Sequence, residues 1–294
     1  MIYVIVGPTC SGKTSAAIAL SEKYNAPIIN GDAFQIYKDM NIGTSKLEKD
    51  NPYYARHYLL DIVTPDQTFS VMEYQKKARK TLNELLKKYK NVIIVGGTGL
   101  YIRALLYDYE FIEEEPQDNS DLDMLSNEEL LATLKSLDAE EATKIHVNNR
   151  KRLIRAIALI RSSNMKKSDL LAKQNHQYIY PSEQLKILFL SPERNFLYKN
   201  INERVNYMIK EGLVEEVKSL INKYDLSLTA KQAIGYKEII SYLNNELSLE
   251  EAISLIQKRT RNYAKRQVTF FKHQFDNVVT VSSLEELLKE CERC

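Results

Sequence analysis

Apolar residues fill Ile2–Val6 without a break, and Val92-Ile93-Ile94-Val95 repeats the pattern. Short continuous runs of this kind predict strands buried on both faces of a parallel sheet. Between them the apolar positions follow helical spacing over about 13–24 and 71–88, with a short strand at 27–30. A strand over 91–95 and a helix over about 99–106 complete the first alternation. Strand–helix alternation at this spacing predicts an α/β fold, a parallel sheet with helices on both faces. After Tyr109 the strand signals stop, and short helices are expected over about 126–135, 138–145, 150–161 and 166–173. The strand-like run Leu185–Leu190 marks a return to the sheet. Helices over about 195–210, 212–223 and 248–273 follow, then a strand at Val278–Val281 and a terminal helix. The pattern divides the chain into a sheet domain, 1–112 plus 183–294, and an all-helical insertion at 113–182.

At the first strand-to-helix turn stands Gly7-Pro8-Thr9-Cys10-Ser11-Gly12-Lys13-Thr14, a complete G-x-x-x-x-G-K-T phosphate loop. Unpaired backbone N–H groups and the helix dipole both favour anionic oxygens there. Gly7 and Gly12 permit close approach, Lys13 supplies a point charge, and Thr14 offers a hydroxyl to a phosphate-bound Mg²⁺. The expected fold is therefore a P-loop NTPase-like sheet, and the expected ligand a di- or triphosphate. Seven of the 9 glycines lie in the first 100 residues, where backbone turns after a strand or closely approaches something.

Composition narrows the setting. The chain has 294 residues and 44% apolar content, enough for a sizeable core. No apolar stretch approaches the ~20 residues of a membrane span, and Ile2–Val6 lacks a basic prefix or cleavage site, so no leader is expected. The 3 cysteines, one of them in the phosphate loop, fit a reducing cytoplasm rather than a disulfide framework. Cys291 and Cys294 have the spacing of half a zinc site with no second half, and read as a terminal tail. Net charge is only +2, but its distribution is uneven. Acidic residues crowd Glu113–Glu141 (Glu113, Glu114, Glu115 and Asp118 among them), and basic ones Lys144–Lys173. A second basic block, Lys258–Lys272, contains no acidic residue. Two basic blocks in a near-neutral chain suggest contact with a polyanion.

Other residues carry candidate chemistry. Asn30-Gly31-Asp32-Ala33-Phe34-Gln35 follows the second strand, and ligands of open parallel sheets bind beyond the strands' carboxyl ends. Asp32 suits a metal or a proton to be accepted, and Gln35 a base edge; both equally suit turn-forming and helix-capping duty. Gly96-Gly97-Thr98-Gly99 stands where motor-type ATPases carry an acidic residue, which counts against that class. In the insertion, Arg150, Lys151, Arg152 and Arg155 lie off the face made by Leu153, Ile157 and Ile160. On the long helix, Lys258, Arg261, Lys265 and Lys272 form one stripe and Arg259 and Arg266 another. Tyr263, Gln267, Phe270 and Phe271 are interleaved with them, as suits an RNA surface.

Taken together, these segments resemble the tRNA dimethylallyltransferase (isopentenylpyrophosphate transferase) family nearly end to end. The matching stretches are the phosphate loop; Asp32, Gln35 and Tyr37; Asp39–Thr44; His57–Ile62; Val95–Tyr101; Ile145–Asn149 with Arg152 and Arg155; Arg204 to Val217; Gly235–Glu238; and Thr260–Gln267. The resemblance implies transfer of a dimethylallyl group from its diphosphate to N6 of the adenosine 3′ to the anticodon, in tRNAs reading codons that begin with U. It implies Mg²⁺ as cofactor, catalysis by Asp32, Lys13, Thr14, Thr98 and Arg204, and diphosphate held by residues 7–14 with Arg204. It implies tRNA contact by Asp32, Ala33, Phe34, Gln35, Thr98, Lys151, Arg152, Arg155, Arg261, Lys265, Arg266 and Gln267. No ATP hydrolysis and no obligate protein partner are expected. Ala33, Phe34, Cys10 and Phe270 depart from the family's usual Ser, Arg, Ala and Trp, which bears on rate and tRNA choice. A metabolite or nucleoside kinase would use the same loop but has no need of the basic 258–272 helix; a nucleotide-gated RNA-binding module would not need Asp32. Replacing Arg152 and Arg155 together by alanine should weaken tRNA binding and reduce its salt slope by about one for each phosphate no longer neutralised. Anisotropy titrations across a salt series check this, and an unchanged slope returns both residues to a solvated face.

Overall fold

The computed structural model describes residues 1–109, 111, 119–172 and 176–293. Glu113, Glu114, Glu115, Asp118, Lys173 and Cys294, like the expected boundary at 112–113, lie outside the described residues. The chain forms two compact units, one of Met1–Leu106 with Tyr180–Cys294 and one of Tyr107–Ile179.

The first unit is built on strands β1 (Ile2–Val6), β2 (Ile28–Asn30), β3 (His57–Tyr58) and β4 (Val92–Gly96), joined by helices α1 (Lys13–Tyr24) and α2 (Val71–Leu86). Helix α3 (Gly99–Leu106) precedes the second unit, whose helices are α4 (Ser120–Met124), α5 (Asn127–Leu137), α6 (Ala139–Lys144), α7 (Arg150–Ser163) and α8 (Lys167–Ala172). The first unit resumes with β5 (Leu185–Leu190), α9 (Arg194–Lys210), α10 (Leu213–Lys223), α11 (Leu228–Lys231), α12 (Tyr236–Leu243), α13 (Leu249–His273), β6 (Val278–Val281) and α14 (Leu284–Glu292).

The six strands form one sheet in the order β3-β2-β4-β1-β5-β6, and every pairing is parallel. β1 lies between β4 and β5, with Ile2 opposite both Val92 and Leu185. All five residues of β1 are buried, as its unbroken apolar run requires. β4 extends one residue further than its apolar run, so that Gly96 pairs with Val6. β3 contributes two residues beside Ile28 and Ile29; it has no apolar run, and the sequence pattern does not predict it. On one face, Ala16, Ala17 and Leu20 of α1 and Leu287 of α14 share a core with Tyr3, Ile5, Ile93 and Leu188. Complete burial of a side chain such as Leu20 contributes about 1.5–3 kcal/mol. Helix α2 buries Tyr74, Ala78 and Leu82, and the Tyr74 ring stacks on Tyr101 of α3 at 4.0 Å. It begins with a reciprocal cap: Glu73 N–H donates to Ser70 Oγ, and Ser70 N–H to Glu73 Oε2. Such a cap stabilises a helix by about 1 kcal/mol.

The carboxyl ends of β1, β2 and β4 share one edge, and the site is built there. Gly12 ends the phosphate loop at φ 90°, a left-handed conformation that strains any residue with a Cβ. The chains leaving β2 and β4 also touch: a Cβ on Gly96 would stand 2.2 Å from the Gly31 carbonyl oxygen. Within the second unit, Leu130 and Leu134 of α5 pack against Leu153, Ala156, Ile157 and Ile160 of α7. Arg150 anchors the start of α7, its guanidinium donating to the carbonyls of Leu122, Asp123 and Leu125. Gly96→Ala is expected to cost about 3 kcal/mol, because the group in the way is backbone. Urea denaturation should show a lowered midpoint with an unchanged slope.

Candidate active site

The phosphate loop runs from the end of β1 into the first turn of α1. Lys13 Nζ donates to the Pro8 carbonyl at 2.6 Å, folded back over its own loop. Burial pushes the Lys13 ammonium down to about 8, while the Asp32 carboxylate pulls it up and the Arg204 guanidinium pushes it down again. Ser11 Oγ is buried without a hydrogen-bond partner, a polar atom waiting for an acceptor or donor from outside the chain. Cys10 holds a left-handed φ of 62°. Thr9 N–H donates to Gln267 Oε1 at 2.8 Å, and Gln267 Nε2 donates to the Gly97 carbonyl at 2.8 Å. Gln267, read from the sequence as an RNA-facing polar group, is thus only 5% exposed and engaged at both ends inside the protein. Phe271, on the same basic helix, is also fully buried.

Asp32 is held by three hydrogen bonds, two of them with Asn30. Its N–H donates to Asn30 Oδ1 at 3.0 Å, Asn30 Nδ2 donates to its carbonyl, and its own Oδ1 accepts the Phe34 N–H at 2.9 Å. One carboxylate oxygen therefore shapes the turn, and Oδ2 takes no hydrogen bond from any described residue. Thr98 Oγ1 accepts the Ala33 N–H at 3.0 Å and ties the loop after β2 to the loop after β4. Gln35 Nε2 donates to the carbonyls of Thr44 and Ser45, at 3.1 and 3.3 Å. The amide nitrogen is thus held by backbone rather than offered to a base edge.

A cleft of about 860 Å³ has Lys13, Thr14, Asp32, Gln35 and Arg204 on its walls, whereas Thr98 and Ala33 are not among its lining residues. Arg204, from α9, approaches Cys10 Sγ at 3.6 Å and the Thr44 carbonyl at 3.5 Å. An apolar pocket of about 120 Å³ adjoins the cleft and shares Thr9, Cys10, Asp32, Thr44 and Arg204 with it. Its other walls include Ile201, Val205 and Met208 of α9 and Ile256 of α13. The spacing 201, 205, 208 on one helix face is visible in the sequence, but its meeting with Ile256 is not. Lys46, buried and facing the cleft, pairs with Asp61 at 2.6 Å and donates to Asn41 Oδ1 at 3.1 Å. No motif or spacing in the sequence marks Lys46 as part of the site.

The basic residues divide. Lys151, Arg152 and Arg155 are exposed on α7, on the side away from its core face. On α13, Lys265 and Arg266 are exposed, with the Arg266 guanidinium 5.8 Å from the Tyr263 ring centre. Arg261 donates to Asn202 Oδ1 at 2.6 Å, and Arg259 pairs with Glu238 of α12. The acidic partner missing from the sequence around Arg259 thus comes from another helix.

The Thr14 hydroxyl and Asp32 carboxylate are hard oxygen donors on one cleft, which suits Mg²⁺. No group of three His, Cys, Asp or Glu among the described residues forms a cage of its own, so a bound ion would take its remaining ligands from ligand phosphates and water. Because the Lys13 ammonium is held at about 8, the unfolded chain binds more protons from there up to the ordinary lysine value, and stability rises with pH across that window. Anion binding runs the other way, since it needs the proton. Affinity for pyrophosphate is expected to fall by about tenfold per pH unit above about 8, and Lys13→Gln to flatten that limb. Calorimetric titrations between pH 7 and 10 measure it.

A family model described as IPP transferase matches residues 35–274. A tRNA dimethylallyltransferase of Anoxybacillus flavithermus is 41% identical over 243 residues, covering 82% of this chain and 77% of the relative. The crystal structure of a tRNA isopentenylpyrophosphate transferase from Staphylococcus epidermidis superposes with a TM-score of 0.71 at 37% identity, over 99% of this chain and 97% of that one. A eukaryotic dimethylallyltransferase acting on tRNA shares the fold, with a TM-score of 0.82 at 24% identity, over 99% of this chain and 76% of the other. A match of this length and identity leaves one assignment: the chain belongs to the IPP transferase family.

Proposed function

We propose that this protein transfers the dimethylallyl group of dimethylallyl diphosphate to N6 of the adenosine 3′ to the anticodon, in tRNAs that read codons beginning with U. The observation that carries the reading is the pairing of a phosphate cleft with a small apolar pocket. An amphiphilic donor fits both at once: its diphosphate on residues 7–14 and Arg204, its five-carbon chain among Ile201, Val205, Met208 and Ile256. Cavities of about 150 Å³ accommodate a benzene ring, so about 120 Å³ is the right scale for that chain. The relatives' names favour transfer over the kinase alternative.

In the transfer, the N6 lone pair forms a bond to the allylic carbon as that carbon's bond to oxygen breaks, and diphosphate leaves with the electron pair. Lys13, the loop N–H groups and Arg204 face the charge growing on the leaving oxygens, and fixed donors in a partly dry site stabilise it strongly. Mg²⁺, held by Thr14 and substrate oxygens, would supply further neutralisation of the diphosphate. Asp32, with Oδ2 unengaged, accepts the N6 proton and orients the amine. Thr98 keeps the Asp32 loop in place and, by the chain's resemblance to the family, would contact the substrate nucleotide. The target adenine must leave its stack at a cost of roughly a few kcal/mol, offset by phosphate contacts from Lys151, Arg152, Arg155, Arg261, Lys265 and Arg266. Ala33, Phe34 and Gln35 would border the anticodon loop, and Gln267 would act by holding the phosphate loop. We read the helical insertion as the tRNA-gripping domain and place the reaction in the cytoplasm, with no protein partner required. No helix among the described residues is long and apolar enough to cross a membrane.

Radiolabelled dimethylallyl diphosphate with unmodified tRNA and Mg²⁺ should label the tRNA, and replacing the target adenosine by guanosine should abolish the label. ATP consumption with a small metabolite, and no label, would establish the kinase instead. Asp32→Ala should retain pyrophosphate and tRNA binding while single-turnover transfer falls by about 10²–10⁴. A near-wild-type rate would remove Asp32 as the base.

A further inference from the structure

Glu216, on α10, lines neither the cleft nor the apolar pocket, yet its carboxylate gathers donors from two segments that do. Oε2 accepts the backbone N–H groups of Asn41 and Ile42, at 2.9 and 2.7 Å. Oε1 accepts the Gly43 N–H at 3.2 Å and the Tyr236 hydroxyl at 2.7 Å. Gly43 and Tyr236 both belong to the wall of the apolar pocket. They meet without slack: a Cβ on Gly43 would stand 2.4 Å from the Tyr236 ring, which is itself 1% exposed. The next residue, Thr44, presents its carbonyl to Arg204 and Gln35.

We infer that Glu216 is a positioning residue that clamps Gly43 against Tyr236, fixes this wall of the pocket, and thereby limits the donor to a five-carbon chain. The inference rests on the proposed seating of the prenyl group in that pocket. Four accepted bonds require both carboxylate oxygens. A glutamine of the same shape replaces one of them with an NH₂ that faces donors, leaving either the loop N–H groups or the tyrosine hydroxyl unpaired. The loop would not come away altogether, because Lys46 still holds Asn41 Oδ1, and Lys223 and Tyr224 still hold Asp39. Release is therefore local to the pocket wall, and its signature is a change in donor length preference.

The experiment compares kcat/KM for dimethylallyl and geranyl diphosphate, with unmodified tRNA, in wild type, Glu216→Gln, Glu216→Asp and Tyr236→Phe, each checked by thermal melting. Wild type should prefer the five-carbon donor by about 100-fold. Glu216→Gln should erode that ratio by about tenfold through improved use of the longer donor. Glu216→Asp should retain most of the preference, and Tyr236→Phe should shift it in the same direction as Glu216→Gln by less. Equal losses on both donors in Glu216→Gln, with the ratio unchanged, would overturn the inference and leave Glu216 a general structural residue. If Glu216→Gln does not fold, the Tyr236→Phe ratio decides alone. Wild type transferring neither donor would overturn the proposed function itself, and this inference with it.

Discussion

Where the backbones leaving β2 and β4 meet, at Gly31 and Gly96, no room remains for a side chain on Gly96. This meeting governs the rest of the site. It brings Thr98 within hydrogen-bond distance of the Ala33 N–H, which fixes the turn that presents Asp32. It also places the Gly97 carbonyl where Gln267 can reach it while accepting from the phosphate loop. Three loops that are distant in sequence thus become one hydrogen-bonded surface. A side chain at Gly96 would separate the acid from the phosphate loop without touching either.

The electrostatics of that surface are arranged for an anion. Lys13 and Arg204 oppose one another, and burial already disfavours the lysine's charge. Asp32 compensates only in part. A polyanionic ligand relieves this conflict, since it supplies the opposite charge that the chain does not. Sites that store such tension bind their ligand partly by removing it, and a strongly perturbed lysine inside a cleft is a common mark of function. The buried Ser11 hydroxyl, without a partner of its own, belongs to the same arrangement.

Much of the sheet is legible in the sequence because its signals are local. The unbroken apolar runs of β1 and β4, the mostly apolar run of β5, and the capped helical repeat of α2 declare themselves within a few residues. β3 does not, because His57–Tyr58 becomes a strand only by lying beside Ile28. α12 gives little sign of itself because it is eight residues long and starts at a glycine whose φ is 97°. The phosphate loop and Asp32 are legible as chemistry, since motif and position after a strand carry meaning without contacts. The apolar pocket, the Lys46–Asp61 pair and the Glu216 clamp are not, because each joins residues from segments far apart. Gln267 shows the opposite difficulty: a basic neighbourhood suggests an outward role, whereas the helix turns that position inward.

The amide of Gln267 has a direction. It meets a donor, the Thr9 N–H, with its oxygen and an acceptor, the Gly97 carbonyl, with its nitrogen. A carboxylate of the same outline would satisfy the first and repel the second; a reversed amide would fail at both ends. A difference of one atom type therefore decides whether α13 is keyed to the sheet in a single register. Since Lys265 and Arg266 are the adjoining residues of the same helix, that key also fixes the angle at which their charges stand relative to the phosphate loop.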